Sequence, residues 1–370
     1  MRALVLKGDW QLEVEDLPDP EAAAGEVAIS VLATGICGSD VHGFTGENGR
    51  RFPGQVMGHE TVGRIAGLGA GAAETVEHGL HEGQLVTVNP VIACGGCEAC
   101  RAGAEQLCPA RRVIGVDPAI RSAFAETMTA PAGNAVALPE SMPAEYGALV
   151  EPLAVGYHAA VRGQCGPGDR VLVIGGGPIG QAAALGALRL GARRVVVSEP
   201  HPGRRALLGR LGIAAVDPGA GELGALAREM LGDRPTATLD AVGTEGTVGD
   251  ALTVTALGGR VVLVGMHAPR LGLPAYAVST QERSLIGSFC YSAAEFAQTA
   301  RWVAGTDTDL SVLIEGRVGL DGAAGSFTAL AQGGDHAGKV LVCPHDPQDS
   351  APGSTGSAET SPTTTREAPE

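Results

Sequence analysis

The spacing of apolar residues changes character partway along the chain. Up to about residue 145, short β-branched runs at 26–32, 61–65, Leu85–Val88 and 135–138 are broken by Gly, Pro and Asp. This is the pattern of strands joined by turns. From about residue 149 a different rhythm begins. The strand-like run Arg170–Ile174 meets a glycine turn, then an Ala- and Leu-rich helical stretch to Leu190, then a second strand-like run, Arg194–Ser198. Helix and strand patterns continue to alternate through 205–211, 225–231, 238–241, 249–256 and 261–264. Such alternation predicts a parallel sheet with helices on both faces. Beyond residue 285 the pattern predicts one helix, 293–303, and a last strand, 339–343. From His345 to Glu370, Pro, Ser, Thr, Gly and charged residues prevail. Such a tail buries too little surface to offset its ordering entropy, so disorder is expected over 345–370.

A chain of 370 residues exceeds one ordinary domain, and its 44% hydrophobic content is enough for real cores. The longest apolar stretch, 171–190, superficially resembles a membrane span, but it is interrupted by Gly175, Gly176, Gly177, Pro178 and Gln181. The first residues, MRALVLKGDWQLEVED, lack the apolar core and small-residue cleavage site of a signal peptide. A formal charge of −15 argues against nucleic acid and anionic membranes as partners, since both favour a basic surface. These features predict a soluble, cytoplasmic protein.

Cys94, Cys97, Cys100 and Cys108 fall within fifteen residues, whereas the other four of the eight cysteines are scattered singly. Two-residue gaps let successive thiolates turn back on one centre, the arrangement of a four-cysteine structural zinc site spanning about 90–110. A pair of disulfides or idle thiols is the alternative, weakened by the absence of a secretory segment.

Gly175-Gly176-Gly177-Pro178-Ile179-Gly180 fits G-x-G-x-x-G. The motif follows a predicted strand, opens a predicted helix and leads to an acidic residue, Glu199, at the end of the next strand. Glycines permit the tight turn and close approach, and a helix N-terminus presents free N–H groups to a pyrophosphate. Glu199 is then placed to accept hydrogen bonds from the adenosine ribose. Its carboxylate repels a 2′-phosphate, which favours NAD over NADP, although Arg204 and Arg205 lie close enough to bind one. A ligand-free glycine turn is the alternative.

Upstream, Cys37-Gly38-Ser39-Asp40-Val41-His42 is followed by Gly58-His59-Glu60. Thiolate, imidazole and carboxylate are zinc ligands, and an incomplete protein set leaves room for substrate. Singly, Cys37 reads equally as a buried filler, His59 as a core histidine and Glu60 as a strand-end charge. Their company favours the metal.

Together these motifs resemble the zinc-dependent medium-chain dehydrogenases, from Met1 to about Cys343. The resemblance implies an α/β fold. A GroES-like β-rich catalytic domain (1–147) is completed by the C-terminal segment (289–344), and a doubly wound Rossmann domain (148–288) binds the cofactor. Glu151-Pro152-Leu153 resembles the sorbitol, threonine and butanediol branch. By that resemblance Cys37, His59 and Glu60 or Glu151 hold a catalytic zinc, giving two zinc ions per chain with the cysteine lobe. Glu151 alternatively caps the helix that follows it. Ser39 and His42 match the family's proton relay, and Gly175, Gly177, Pro178, Ile179, Gly180, Glu199 and Arg204 its NAD site. A homodimer or homotetramer is implied, built through edge strands at 259–265 and 284–289.

The implied reaction is reversible oxidation of a secondary alcohol, vicinal diol or polyol-type substrate, aminocyclitols included, to the ketone. Two departures bear on substrate. The sorbitol enzymes carry an aromatic residue where Gly43 stands, with Phe44 next. Their Phe-Arg-Tyr segment, whose arginine helps bind the polyol, is here Phe289-Cys290-Tyr291. A zinc-free enone or quinone reductase and a non-catalytic NAD- or zinc-binding protein are the competing readings. Intact cysteine, histidine and serine positions argue against both.

Overall fold

The computed structural model describes residues 1–47, 49–74, 79–334 and 336–345. The tail expected to be disordered, 345–370, lies outside these residues except for His345.

A hairpin of β1 (Arg2–Gly8) and β2 (Gln11–Asp16) precedes the long strand β3 (Glu26–Gly35). Burial alternates along β3 until its last three residues, which are buried on both faces where the strand passes under the candidate site. Helix α1 (Gly38–Phe44) leads to β4 (Glu60–Leu68) and β5 (Leu85–Val88). The short pair β6 (Val91–Ile92) and β7 (Arg112–Val113) flanks the cysteine lobe and its one-turn helix α2 (Glu98–Arg101). Strands β8 (Thr127–Pro131) and β9 (Ala135–Ala137) close this part of the chain.

Helix α3 (Val150–Arg162) leads into a second sheet. Its strands are β10 (Arg170–Ile174), β11 (Arg194–Ser198), β12 (Ala214–Val216), β13 (Ala237–Asp240), β14 (Arg260–Leu263) and β15 (Ser284–Gly287). All pair in parallel, in the order β12-β11-β10-β13-β14-β15. Between them run α4 (Pro178–Arg189), α5 (Pro202–Arg210), α6 (Leu223–Leu231), α7 (Glu245–Val254) and α8 (Ala275–Ser279). Helices cover both faces, so the central strands are continuous apolar runs. The strand order reverses between β10 and β13, and a crevice for ligands opens at such a switch point.

The chain then returns to the first sheet through α9 (Ala293–Gly305), β16 (Ile314–Val318), α10 (Leu320–Ala331) and β17 (Lys339–Val342). β17 pairs antiparallel with β3 and in parallel with β16, giving the path β16-β17-β3-β4-β5-β9, with β8 also on β3. This corrects the sequence expectation of a single helix and strand after residue 285. The α10 segment holds Gly322 and Gly325 and few large apolar residues, so its intrinsic helix signal is weak. Tertiary packing supplies the rest. Leu320, Ala323 and Phe327 face the core, and the Phe327 ring meets Phe44 at 5.6 Å and Phe124 at 5.5 Å, both edge-on. Because Phe44 ends α1, this aromatic cluster seats the helix that carries Ser39 and His42.

Helices α3 and α4 approach closely because their facing residues are small. A Cβ on Gly156 would lie 2.1 Å from the carbonyl carbon of Ala182, so a side chain there must push the helices apart. Gly156→Val is expected to lower the unfolding free energy by at least about 2 kcal/mol, read from urea denaturation. A loss under about 1 kcal/mol would mean that this interface is not closely packed.

Candidate active site

Cys37 is the N-cap of α1, and Asp40 is the third residue of its first turn. The Asp40 side chain serves several neighbours at once. Oδ2 accepts from the Cys37 N–H at 3.3 Å, while Oδ1 lies 3.4 Å from Arg51 Nη2 and 3.5 Å from His59 Nδ1. Asp40, Arg51 and His59 are buried and Cys37 is half-buried. Burial pushes the Asp40 carboxyl up, but the charges of His59 and Arg51 and the Cys37 N–H outweigh it and hold Asp40 below its ordinary value. His59 answers in kind: burial lowers it, yet Asp40 and Cys37 raise it well above the usual imidazole range.

β4 begins at Glu60, directly after His59, and its pairing with β3 brings both residues beside Cys37. Cys37, His59 and Glu60 each offer a ligand atom, all within 4.8 Å of one another. Glu60 Oε1 accepts from Lys339 Nζ at 2.7 Å, and the same ammonium reaches Ile36 O at 3.2 Å. Lys339 is fully buried; desolvation lowers its pKa, but Glu60 and Cys37 raise it further, so the net shift is upward. Glu60 Oε2 and His59 Nδ1 are buried without a hydrogen-bond partner. Buried polar atoms are rarely left so. A thiol, an imidazole and a carboxylate converging with such atoms have the donor chemistry of a cation site.

Glu151 lies in the first turn of α3 and outside that three-donor set. Its Oε1 accepts from the Tyr291 hydroxyl at 2.9 Å. The N-cap of the helix, Leu149, makes no side-chain cap hydrogen bond, and Glu151 is the acidic residue of the first turn. Burial first, with Glu60 adding, pushes the Glu151 carboxyl up to about 7.

In the lobe, Cys94, Cys97, Cys100 and Cys108 are free thiols whose sulfurs all lie within 4.8 Å of one another. Cys94 Sγ to Cys100 Sγ is 3.9 Å and Cys97 Sγ to Cys100 Sγ is 3.4 Å. Four sulfurs bound to one zinc at about 2.3 Å stand about 3.8 Å apart, so the spacing fits the ion. The ionisations also diverge. Backbone N–H groups of Gly96 and Cys97 pull Cys94 down to about 6, while burial and Cys97 push Cys100 up to about 12. Without a cation the cluster does not hold four thiolates together.

At the second sheet, Gly177 is the N-cap of α4 and Pro178 its first residue. A Cβ on Gly180 would meet Gly175 O at 1.8 Å, so the turn tolerates only glycine there. Gln181 Nε2 ties the turn down through Gly176 O at 2.8 Å and Ala337 O at 2.7 Å. Glu199, at the end of β11, accepts from the Gly176 N–H at 2.6 Å and the His201 N–H at 2.7 Å. Each carboxylate oxygen keeps a further lone pair for a ligand. Arg204 Nη1 is 3.9 Å from Glu199 Oε2, and Arg204 Nε donates to His336 O at 3.1 Å.

Ser39, half-buried, and His42 share α1, one turn apart. His42 Nδ1 is 2.6 Å from Glu47 Oε2. Sequence reasoning picked out Cys37, His59, Glu60, Glu151 and the glycine turn, but missed Asp40, Arg51, Lys339 and Tyr291. Asp40 was findable, as an acidic residue in the first turn after a ligand-type cysteine. Lys339 was not, because 279 residues separate it from Glu60. Phe44 does not replace the missing aromatic at Gly43. It is buried against Trp10 and Phe327, and the Arg51 stem fills the space where a Cβ on Gly43 would go, 2.3 Å away.

A glycine turn at the switch point of a parallel sheet, beside a compact cysteine, histidine and glutamate set, defines the class of nucleotide-dependent metal dehydrogenases. Residues 23–140 match the alcohol dehydrogenase GroES-like domain and residues 178–305 the zinc-binding dehydrogenase domain. The L-galactonate-5-dehydrogenase of Escherichia coli is 32% identical over 306 residues, 82% of this chain and 87% of that protein. Mouse sorbitol dehydrogenase is 30% identical over 360 residues, 95% of this chain and 97% of that protein. A zinc-binding dehydrogenase of Sinorhizobium meliloti, solved with NADP bound, has TM-score 0.83 at 27% identity, covering 93% of this chain and 99% of that one. The chain belongs to the zinc-dependent medium-chain alcohol and polyol dehydrogenase family, oxidoreductases acting on CH–OH groups. Among the described residues, no helix is long and apolar enough to cross a membrane.

Lys339→Met leaves the Glu60 carboxylate buried without its cation. Breaking such a pair costs about 3–5 kcal/mol, so a large drop in urea midpoint is expected. An unchanged midpoint would mean that the Lys339–Glu60 pair contributes nothing to stability.

Proposed function

We propose that this protein is an NAD-linked dehydrogenase that interconverts a polyol-type secondary alcohol or vicinal diol with its ketone, aminocyclitols remaining within that class. The observation that carries the proposal is the convergence of half-buried Cys37 with buried His59 and Glu60, one Glu60 oxygen being left without a hydrogen-bond partner. Cys37, His59 and Glu60 would hold the catalytic zinc, Glu151 would stand by through water, and Cys94, Cys97, Cys100 and Cys108 would hold a second, structural ion. When bound, zinc supplies Lewis acidity toward the hydroxyl, and nicotinamide supplies the hydride acceptor.

The chain's own residues do the remaining work. Asp40 fixes the orientation of His59 and, with Arg51, balances its charge. Lys339 holds Glu60 in place. Ser39 accepts the hydroxyl proton and passes it to His42, whose Nδ1 lies 2.6 Å from Glu47 Oε2. Glu199 supports NAD over NADP: it is buried beneath the glycine turn, and a 2′-phosphate beside it would meet a carboxylate. Arg204 would line the ribose end of the same site. The edge strand β15, with exposed Phe289 just after it in the chain, supports assembly of a homodimer or homotetramer there. Thiols that bind metal must stay reduced, which favours the cytoplasm.

Metal analysis of the purified protein is expected to give two zinc ions per chain, falling to one in Cys37→Ser. NADH formation with secondary alcohols, vicinal diols, polyols and aminocyclitols should appear for one of these groups and be lost in that variant. NAD should exceed NADP at least about tenfold in kcat/KM, one close repulsion between like charges being worth roughly that factor. A single zinc that survives Cys37→Ser would overturn the assignment of the catalytic site.

A further inference from the structure

Arg204 and Arg205 both follow the acidic residue that the ribose would meet, and by sequence alone either is available to a 2′-phosphate. The structure separates them. Arg204 leans over the glycine turn: its Nη1 lies 3.9 Å from Glu199 Oε2, and a Cβ on Gly177 would stand 3.9 Å from the same atom. Arg205 is engaged elsewhere. Its Nη1 donates to Glu199 O at 2.8 Å and to Pro200 O at 2.5 Å, while Nη2 lies 3.1 Å from Asp217 Oδ2. The guanidinium is thus held both on the backbone that ends β11 and on a carboxylate.

Strand order says what this arrangement faces. β11 lies between β10, which feeds the glycine turn, and β12. A dinucleotide with its pyrophosphate at the turn and its adenosine ribose at Glu199 runs from β10 to the end of β11. The next element on that line is the end of β12. There the Glu199 N–H donates to Val216 O at 3.0 Å, and Asp217 is the residue after Val216. Glu199, Arg205 and Asp217 therefore stand together beyond the ribose position, on the side away from the turn. An arginine so placed is a natural partner for a phosphate, because its planar fork matches the oxygens.

From this geometry we propose that Asp217 is a second determinant of cofactor choice. It holds the Arg205 fork and balances its charge, so that the arginine is withheld from a 2′-phosphate. Discrimination against NADP then rests on two carboxylates: Glu199 repels the phosphate directly, and Asp217 removes the cation that would offset that repulsion. Asp217 acts only through Arg205, which makes it a positioning residue. A part-exposed ion pair contributes little alone, and the two carbonyl contacts of Nη1 supply the rest of the hold. The proposal rests on the NAD-linked reading and deepens it.

The test is calorimetric binding of ADP and of 2′,5′-ADP, which carry the adenosine halves of the two cofactors and need neither zinc nor substrate. Asp217→Asn keeps the Oδ1 that accepts from the Gly219 N–H at 2.8 Å and removes only the charge facing Arg205. ADP binding by each variant reports that the site is folded. One charge-assisted contact is worth about tenfold in affinity. The ratio of Kd for 2′,5′-ADP to Kd for ADP should therefore fall about tenfold in Asp217→Asn, and kcat/KM for NADP relative to NAD should rise in parallel. Deleting any nearby carboxylate eases the approach of an anion, so the same change is also made in Arg205→Gln, where the ratio should stay nearly constant. A structural role for Asp217 would weaken both nucleotides together and leave the ratio unmoved, which would overturn the inference. So would an equal fall in the Arg205→Gln background. The wild type tests the parent reading separately. Tighter binding of 2′,5′-ADP than of ADP, or binding of neither, would sink that reading and this inference with it, whereas a wild type that prefers ADP beside an unmoved Asp217→Asn sinks the inference alone.

Discussion

Three carboxylates, Asp40, Glu60 and Glu151, are buried around one candidate site, and the architecture around them is arranged to make that tolerable. An isolated buried carboxylate is expensive, so each must be paired, bonded or neutralised. The three are handled differently. Asp40 is held ionised by Arg51, His59 and the Cys37 N–H. Glu60 is held by Lys339, with one oxygen left over. Glu151, with a tyrosine hydroxyl as its hydrogen-bond partner, is the one whose burial wins, and its pKa rises. A site with this graded set of carboxyls beside a thiol and an imidazole has the donor chemistry of a cation site.

Meeting those pairing requirements takes parts of the chain that are far apart in sequence. Lys339 opens β17, the strand that returns after the whole second sheet to pair with β3. Tyr291 leaves the edge of that second sheet, and Glu151 opens the helix leading into it. The candidate site therefore exists only where the two sheets meet, and the last strands of the chain are part of it. The Phe44–Phe327–Phe124 cluster belongs to the same logic, because it fixes α1 through a helix with little helical tendency of its own.

Charge is also placed locally, against the chain's bulk balance. The overall charge is −15, yet Arg204 stands by the glycine turn, its Nη1 3.9 Å from Glu199 Oε2, and Arg111 lies over the Phe289 ring. The hydrogen bonds that Glu199 accepts from the Gly176 and His201 N–H groups hold its carboxylate beneath the turn, so this negative charge is built into the turn itself.

Sequence alone was enough for the chemistry that is local along the chain. The four-cysteine spacing, the Gly175–Gly180 turn between strand and helix, and the neighbouring Cys37, His59 and Glu60 all lie within short segments, where spacing dictates what side chains can converge on. The alternation of β10 to β15 with their helices was legible for the same reason, since buried parallel strands are continuous apolar runs. The structure decided what depends on contact between distant segments. The pairing of Lys339 with Glu60, the tie from Tyr291 to Glu151, the burial of Phe44 away from the cleft and the placing of Arg111 over Phe289 have no periodic or motif signal. Nor did α10 and β16, whose glycine-rich or alternating-polar sequences fold as they do because an aromatic core and a waiting strand edge accept them. Motifs record which groups a site needs, whereas the partners that balance buried charge are chosen by whatever the fold brings alongside.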